Sequence, residues 1–161
     1  MIISGGQTGV DRAALDVALE QGILCGGWCP QGRQAEDGPL DAKYPLTETP
    51  SASVSQRTEW NVRDSEATLI LTWGPPKGGT LKTAGAASRF KKPFLIVDME
   101  KEKDIAAIQK WIEASRAHVL NVAGPRASEV GKAYDEAKQL LTQLFEADED
   151  EGEDEFSGAN A

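Results

Sequence analysis

The chain has 161 residues, a formal net charge of −9, two cysteines and one histidine. That length suits one domain with a buried core. Its acidic balance offers no basic stripe for nucleic acid, no apolar run approaches the roughly 20 residues that a membrane helix needs, and two cysteines with one histidine make no four-ligand zinc set. A reduced cytoplasmic protein is expected, with no metal and no signal peptide, because an apolar strand begins at once.

The first apolar run, Met1–Ser4, leads into Gly5, Gly6, Gln7, Thr8 and Gly9, and then into a stretch with helical spacing over Ala13–Gln21 that Gly22 closes. Strand, glycine loop and helix in that order build an anion site: glycines bring backbone N–H groups close to a ligand, and the helix start behind them carries partial positive charge. Gln7, Thr8, Asp11 and Arg12 give the loop more polar reach than packing needs. Asp11 also reads simply as a first-turn acid favoured by the helix dipole. Against the dinucleotide fingerprint the match is partial, Ser4-x-Gly6-x-x-Gly9, and the alternative is a turn that only packs helix on strand.

A second strand, Ile23–Gly27, holds Cys25 and ends in Gly26-Gly27-Trp28-Cys29 without the carboxylate that would hold a ribose, so ordinary NAD binding is not expected. The connection from Pro30 to Pro50 is long and rich in Pro, Gly and charge, with one short extended piece near Tyr44–Thr47. It is either a binding loop, with Arg33, Glu36, Asp37 and Lys43 in reach of a ligand, or a solvated excursion.

Ser53 with Gln56 three residues on forms a capping box for a helix running to about Glu66. Arg57, Asn61 and Ser65 lie on one stripe of it. Arg57 suits a phosphate and Asn61 an amide-like base edge; a solvent face is the alternative. After the strand Ala67–Trp73, the run Gly74-Pro75-Pro76-Lys77-Gly78-Gly79-Thr80 lacks the lysine of a Walker motif, yet repeats glycines, hydroxyl and helix start.

The alanine-rich helix Thr80–Phe90 precedes a strand at Pro93–Asp98, whose continuous Phe94–Val97, like Leu69–Leu71, predicts a central position. Ile105, Ile108 and Ile112 mark a fourth helix, His118–Ala123 a fifth strand, and Val130 to Leu144 a fifth helix with Ser128 as a cap for it. Arg126 either clamps an anionic group or caps surface carbonyls. Eight acidic residues and no basic one fall in Glu146–Glu155, so the rest of the chain is nearly neutral, and residues 146–161 read as a solvated, disordered tail.

This alternation predicts an α/β, Rossmann-like, doubly wound and mainly parallel sheet with helices on both faces, in a single domain over residues 1–145. Met1–Ser4 and Ala67–Trp73 are then expected side by side at the switch point, their loops facing one crevice. The expected ligand contacts are Gly5, Gly6, Gln7, Thr8, Gly9, Asp11, Arg12, Arg57, Asn61, Gly78, Gly79, Thr80, Thr83 and Arg126.

Residues 4–14, 26–30, 57–62, 78–80 and 121–126 together resemble the molybdenum-cofactor carrier family, within a wider Rossmann-like group that includes the Lonely Guy phosphoribohydrolases and lysine-decarboxylase-like proteins. The resemblance spans residues 1–145. It implies self-association and a pocket for a phosphate-bearing ligand, either a molybdopterin-type cofactor or a nucleotide. In the phosphoribohydrolases a glutamate follows the second glycine loop and takes part in cleaving base from ribose phosphate; here Thr83 stands at that place. Losing an acid/base group removes ~10²–10⁴-fold in rate, so holding a ligand is expected over reacting with it. The alternative is an N-glycosidase acting on nucleoside monophosphates through Asp11, Glu36 or Asp37.

Overall fold

A computed structural model describes residues 1–159, with side chains as far as Glu146. The elements in order are β1 (Ile2–Ile3), α1 (Val10–Glu20), β2 (Cys25–Gly26), β3 (Trp28–Cys29), β4 (Gln34–Ala35), β5 (Gly38–Pro39), β6 (Thr47–Glu48), α2 (Val54–Arg63), β7 (Ala67–Thr72), α3 (Gly78–Arg89), β8 (Phe94–Asp98), α4 (Ile105–Ser115), β9 (Leu120–Ala123) and α5 (Ala133–Ala159). The expectation of a disordered acidic tail falls, after Glu146, outside the residues whose side chains are described.

Five parallel strands form the central sheet in the order β2-β1-β9-β7-β8. Helix α5 packs on α1 and on α4, and α2 packs on α3. The larger core joins Val10, Leu15, Val17, Leu69, Leu71, Val122, Leu141 and Leu144; a smaller cluster of Val62, Ala86 and Ala87 lies against Phe94. The α/β Rossmann-like class is as expected.

Strand order corrects two expectations. β1 and β7 are not neighbours: β9 pairs with both, through Ile2 and Leu120 on one side and Ala67 and Leu120 on the other. The switch point is therefore filled by the strand that comes last in the chain, and its loop joins the other two at the C-terminal end of the sheet. Phe94–Val97 is not central but forms the edge strand β8, with Ile96 37% exposed. A continuous apolar run reports apolar surroundings and does not say how many strands flank it. The run Ala67–Thr72 is buried throughout.

Smaller departures have local causes. Gly27 bends the chain at φ 127°, which ends β2 and sends Trp28–Cys29 into a second, two-stranded sheet with Thr47–Glu48. The long connection also contains a hairpin pairing Gln34 with Pro39. Ser53 caps α2 by accepting from Ser55 N at 3.3 Å, but Gln56 reaches back to Ser51 N at 2.8 Å rather than to Ser53. Ser128 caps no helix, since α5 begins at Ala133.

Candidate functional site

Residues after β1, along β9 and its loop, and at the start of α3 line one cleft of about 480 Å³, with α2 as a further wall. Of the expected contacts, Gly5, Gln7, Asp11, Arg57, Asn61, Gly79, Thr80, Thr83 and Arg126 line it; Gly6, Thr8, Gly9, Arg12 and Gly78 do not.

Why the first loop withdraws from the cleft is steric and electrostatic. Gly6, at φ 79°, lies against Leu46 and Leu40, whose methyl carbons would stand 2.6 and 2.8 Å from a Cβ, so it is a packing glycine. Gly9, at φ 80°, lets the chain pass under Pro125 O, which accepts from Val10 N at 3.2 Å and takes up the first amide of α1. Thr8 N donates to Gln7 Oε1 at 3.0 Å. Arg12 makes a bidentate pair with Asp37 at 2.8 and 3.0 Å, which holds its guanidinium further on the charged side and Asp37 below the usual carboxylate range.

The connection Pro30–Pro50 is thereby a clasp over the first loop. Glu36 accepts from Thr8 Oγ1, from Ser128 N at 3.0 Å and from Ser128 Oγ at 2.7 Å, bonds that lower its pKa. Its carboxylate also stands 3.8 Å from Arg126 Nε, which Glu129 meets at 3.0 Å. Tyr44 anchors the far end of the clasp: its hydroxyl and that of Tyr134 donate to the two oxygens of Asp16, each at 2.5 Å. Burial and this shared carboxylate push Tyr44 up strongly and Tyr134 up to about 12.

The polar stripe of α2 faces inward. Arg57 is 7% and Asn61 2% exposed; α2 ends at Arg63 rather than near Glu66, so Ser65, 1% exposed, follows the helix instead of belonging to it. Asn61 spends its amide on the protein, accepting from Trp28 N at 2.7 Å and donating to Trp28 O at 3.0 Å, and so fixes β3 against α2. Arg57 Nη1 donates to Gly5 O at 2.8 Å and stands 3.5 Å from Asp11 Oδ2, while its buried Nε has no partner. Asp11 is 8% exposed; burial raises its pKa, and Arg57 only partly offsets that.

Opposite, α3 begins without a side-chain cap on Lys77, and neither Gly78 N nor Gly79 N finds an acceptor among the described residues. A Cβ at Gly79 would meet nothing within 4 Å. Thr83 Oγ1 donates to Gly79 O at 3.0 Å. Sequence reasoning missed Thr58, Glu59, Lys82 and Arg89 in the cleft wall. Lys82 and Arg89 lie three and ten residues after Gly79, on the helix face that follows the glycine pair, and that spacing is the signal that points to them. Glu59 and Arg89 form an exposed ion pair at 3.0 Å across α2 and α3. Cys25 and Cys29 are free and buried, and no group of three or more His, Cys, Asp or Glu is placed to hold a metal among the described residues.

No curated protein matches the chain. The crystal structure of a putative molybdenum carrier protein from Syntrophus aciditrophicus is similar to it, with 43% identity, a TM-score of 0.83, and 89% of this chain and 92% of that one covered. Residues 2–145 match the model of the circularly permutated YpsA SLOG family, in keeping with a central strand contributed by the end of the domain. The chain belongs to that family of α/β proteins.

Proposed function

We propose that the cleft holds a phosphate-bearing, pterin- or nucleotide-like ligand and delivers it unchanged, with a molybdopterin-type cofactor as the cargo. The observation that carries this is Arg57: a buried guanidinium in the cleft wall with an unpartnered Nε, across from the uncapped first turn of α3. Such a turn and an arginine are a common means of binding phosphate. Gly79, Thr80, Lys82 and Arg57 would take the phosphate, and Arg126 at the rim would add charge. The name of the Syntrophus relative supports the carrier reading and the choice of cargo. Thr83, its hydroxyl donated to Gly79 O, offers no carboxylate for bond cleavage.

Of the carboxylates first considered for an N-glycosidase, Glu36 and Asp37 are engaged in the clasp, whereas Asp11 lines the cleft. Asp11 is thus the one observation that favours the second reading. Mass spectrometry of the small molecule that copurifies with the protein tests the first: a phosphorylated pterin is expected. Sustained release of free base from nucleoside monophosphates would replace the carrier by the glycosidase.

The same reading includes a reduced cytoplasmic setting and self-association. Exposed Ile96 on the edge strand β8, and exposed Phe90 at the end of α3, give a partner copy apolar area to cover. Light scattering across a dilution series is expected to show an oligomer.

A further inference from the structure

We infer that the outer face of α3 is a docking surface for the acidic C-terminal segment of a second copy of this chain, so that two copies pair by exchanging residues 146–159. The inference builds on the self-association proposed above and adds to it a contact of a different kind.

Charge is sorted along this chain. From Ala67 to Val97 there are five basic residues, Lys77, Lys82, Arg89, Lys91 and Lys92, and no acidic one, although the whole chain carries −9. The threonine and alanine side of α3 is buried, which leaves Leu81, Lys82, Ser88 and Arg89 exposed opposite it, with Lys77 and Lys91 exposed at the two ends. Arg89 has Glu59 of α2 as its partner, and Lys92 donates to Arg63 O and Ser65 O. Lys77, Lys82 and Lys91 meet no carboxylate among the described residues. Leu81 is 56% exposed, and only Arg89 lies within 4 Å of a Cβ at Gly85, so another helix can approach closely there.

The opposite charge stands at the far end of the sequence. Glu146–Glu155 holds eight acidic residues and no basic one, with Phe156 next, so the rest of the chain is at −9 + 8 = −1 and does not repel the segment. The last core side chains of α5 are Leu144 and Phe145, yet the helix continues to Ala159. Residues 146–159 add roughly 20 Å to it, at about 1.5 Å per residue. Such a helix end is unfavourable by itself, because its acids repel one another at i, i+3 and i, i+4, and the helix dipole disfavours negative charge in the last turns. It needs cations. α5 packs on α1 and α4, whereas α3 packs on α2 and β7, so a helix that runs straight on from the first group does not return to α3 of its own chain. The basic face of a second copy supplies the cations, and because each copy carries both parts the exchange is reciprocal and closes as a pair.

The test is sedimentation velocity on the full chain in about 0.1 M and about 1 M salt, over which the screening length falls from about 10 to about 3 Å. Pairing is expected at the lower salt and should weaken about tenfold or more at the higher, as several exposed ion pairs are screened together. Two full-length variants each reverse one part: Lys77→Glu with Ser88→Glu and Lys91→Glu on α3, and Asp148→Lys, Glu149→Lys, Glu151→Lys, Glu153→Lys and Glu155→Lys in the segment. Lys77, Ser88 and Lys91 are exposed and do not line the cleft. Either variant alone should lose the pairing about tenfold or more, and an equal mixture of the two should regain it, since each then offers the charge that the other lacks. Pairs that persist in about 1 M salt or survive either reversal would overturn the inference and leave self-association through Ile96 and Phe90 standing. Loss in both variants without recovery in the mixture overturns it as well, because the segment then acts within its own chain. A parent that stays monomeric at every salt and concentration refutes the self-association reading together with this one.

Discussion

Arg57 Nη1 donates to Gly5 O at 2.8 Å, and a Cβ at Gly5 would stand 2.2 Å from that same nitrogen. Glycine is required at this position for room, because it leaves the space that a guanidinium from another element fills. The phosphate reading of the cleft depends on that placement of Arg57.

Gly5→Ala is therefore expected to push Arg57 off its carbonyl and away from Asp11. Overpacking of this kind costs about 1–3 kcal/mol. Thermal unfolding should register that loss, and binding of adenosine 5′-monophosphate should weaken by about tenfold with it. An alanine variant that melts and binds like the parent would show that Arg57 is not held there.

Gly79→Asp probes the opposite wall. Nothing lies within 4 Å of a Cβ at this position, so the fold should be undisturbed and the melting temperature unmoved. The added carboxylate would occupy the space before the first turn of α3 and repel an anion there. Monophosphate affinity is expected to fall about tenfold or more; unchanged affinity would remove α3 from the binding site.

Acid should loosen the clasp. Glu36 and Asp37 both titrate below their ordinary values in the folded protein, Glu36 because Thr8 and Ser128 donate to it and Asp37 because Arg12 does. A group with a depressed folded pKa contributes stability that is full above its unfolded pKa and is lost as pH falls through the folded one. For Glu36 that decline begins near its ordinary value of 4.5. Melting curves of the parent should fall in this range, and Glu36→Gln, with weaker bonds to Thr8 and Ser128, should fall less steeply while starting about 1–2 kcal/mol lower.

Alkali should act at the other end of the clasp. Tyr134 is raised from 10.0 to about 12, chiefly by burial and then by its bond to Asp16. A raised folded pKa contributes stability that is complete below the unfolded value and disappears as pH climbs through the folded one, here from 10 to about 12. Tyr134→Phe should lose about 1 kcal/mol at neutral pH and flatten that alkaline decline. Because Tyr44 shares the same carboxylate, the double variant with Tyr44→Phe should not be additive. Additive losses in unfolding experiments would mean that the two hydroxyls act separately on Asp16.

Much of this protein was legible in one dimension. Apolar period and glycine punctuation located the helices and the five strands of the main sheet, because burial of a strand or helix face is written into neighbouring residues. The inward stripe of Arg57, Asn61 and Ser65 was visible as spacing, and Thr83 stood where a glutamate would act. What those side chains do was not visible: Arg57 and Asn61 look alike as polar members of one stripe, yet Asn61 is consumed by Trp28 and Arg57 keeps an unpartnered Nε.

The α/β class, the two glycine loops and the family signature over residues 1–145 follow from the chain alone, since each depends on the order and spacing of nearby residues. Tertiary structure alone decided that β9 separates β1 from β7, that Phe94–Val97 is an edge, and that Glu36 and Asp37 hold the first loop closed. Those outcomes depend on pairings across up to a hundred residues or more, where no local period constrains which strand or carboxylate arrives. The two loops look equivalent in the chain; they differ in space because one meets Pro125 O, Leu40 and Leu46, and the other meets an open cleft.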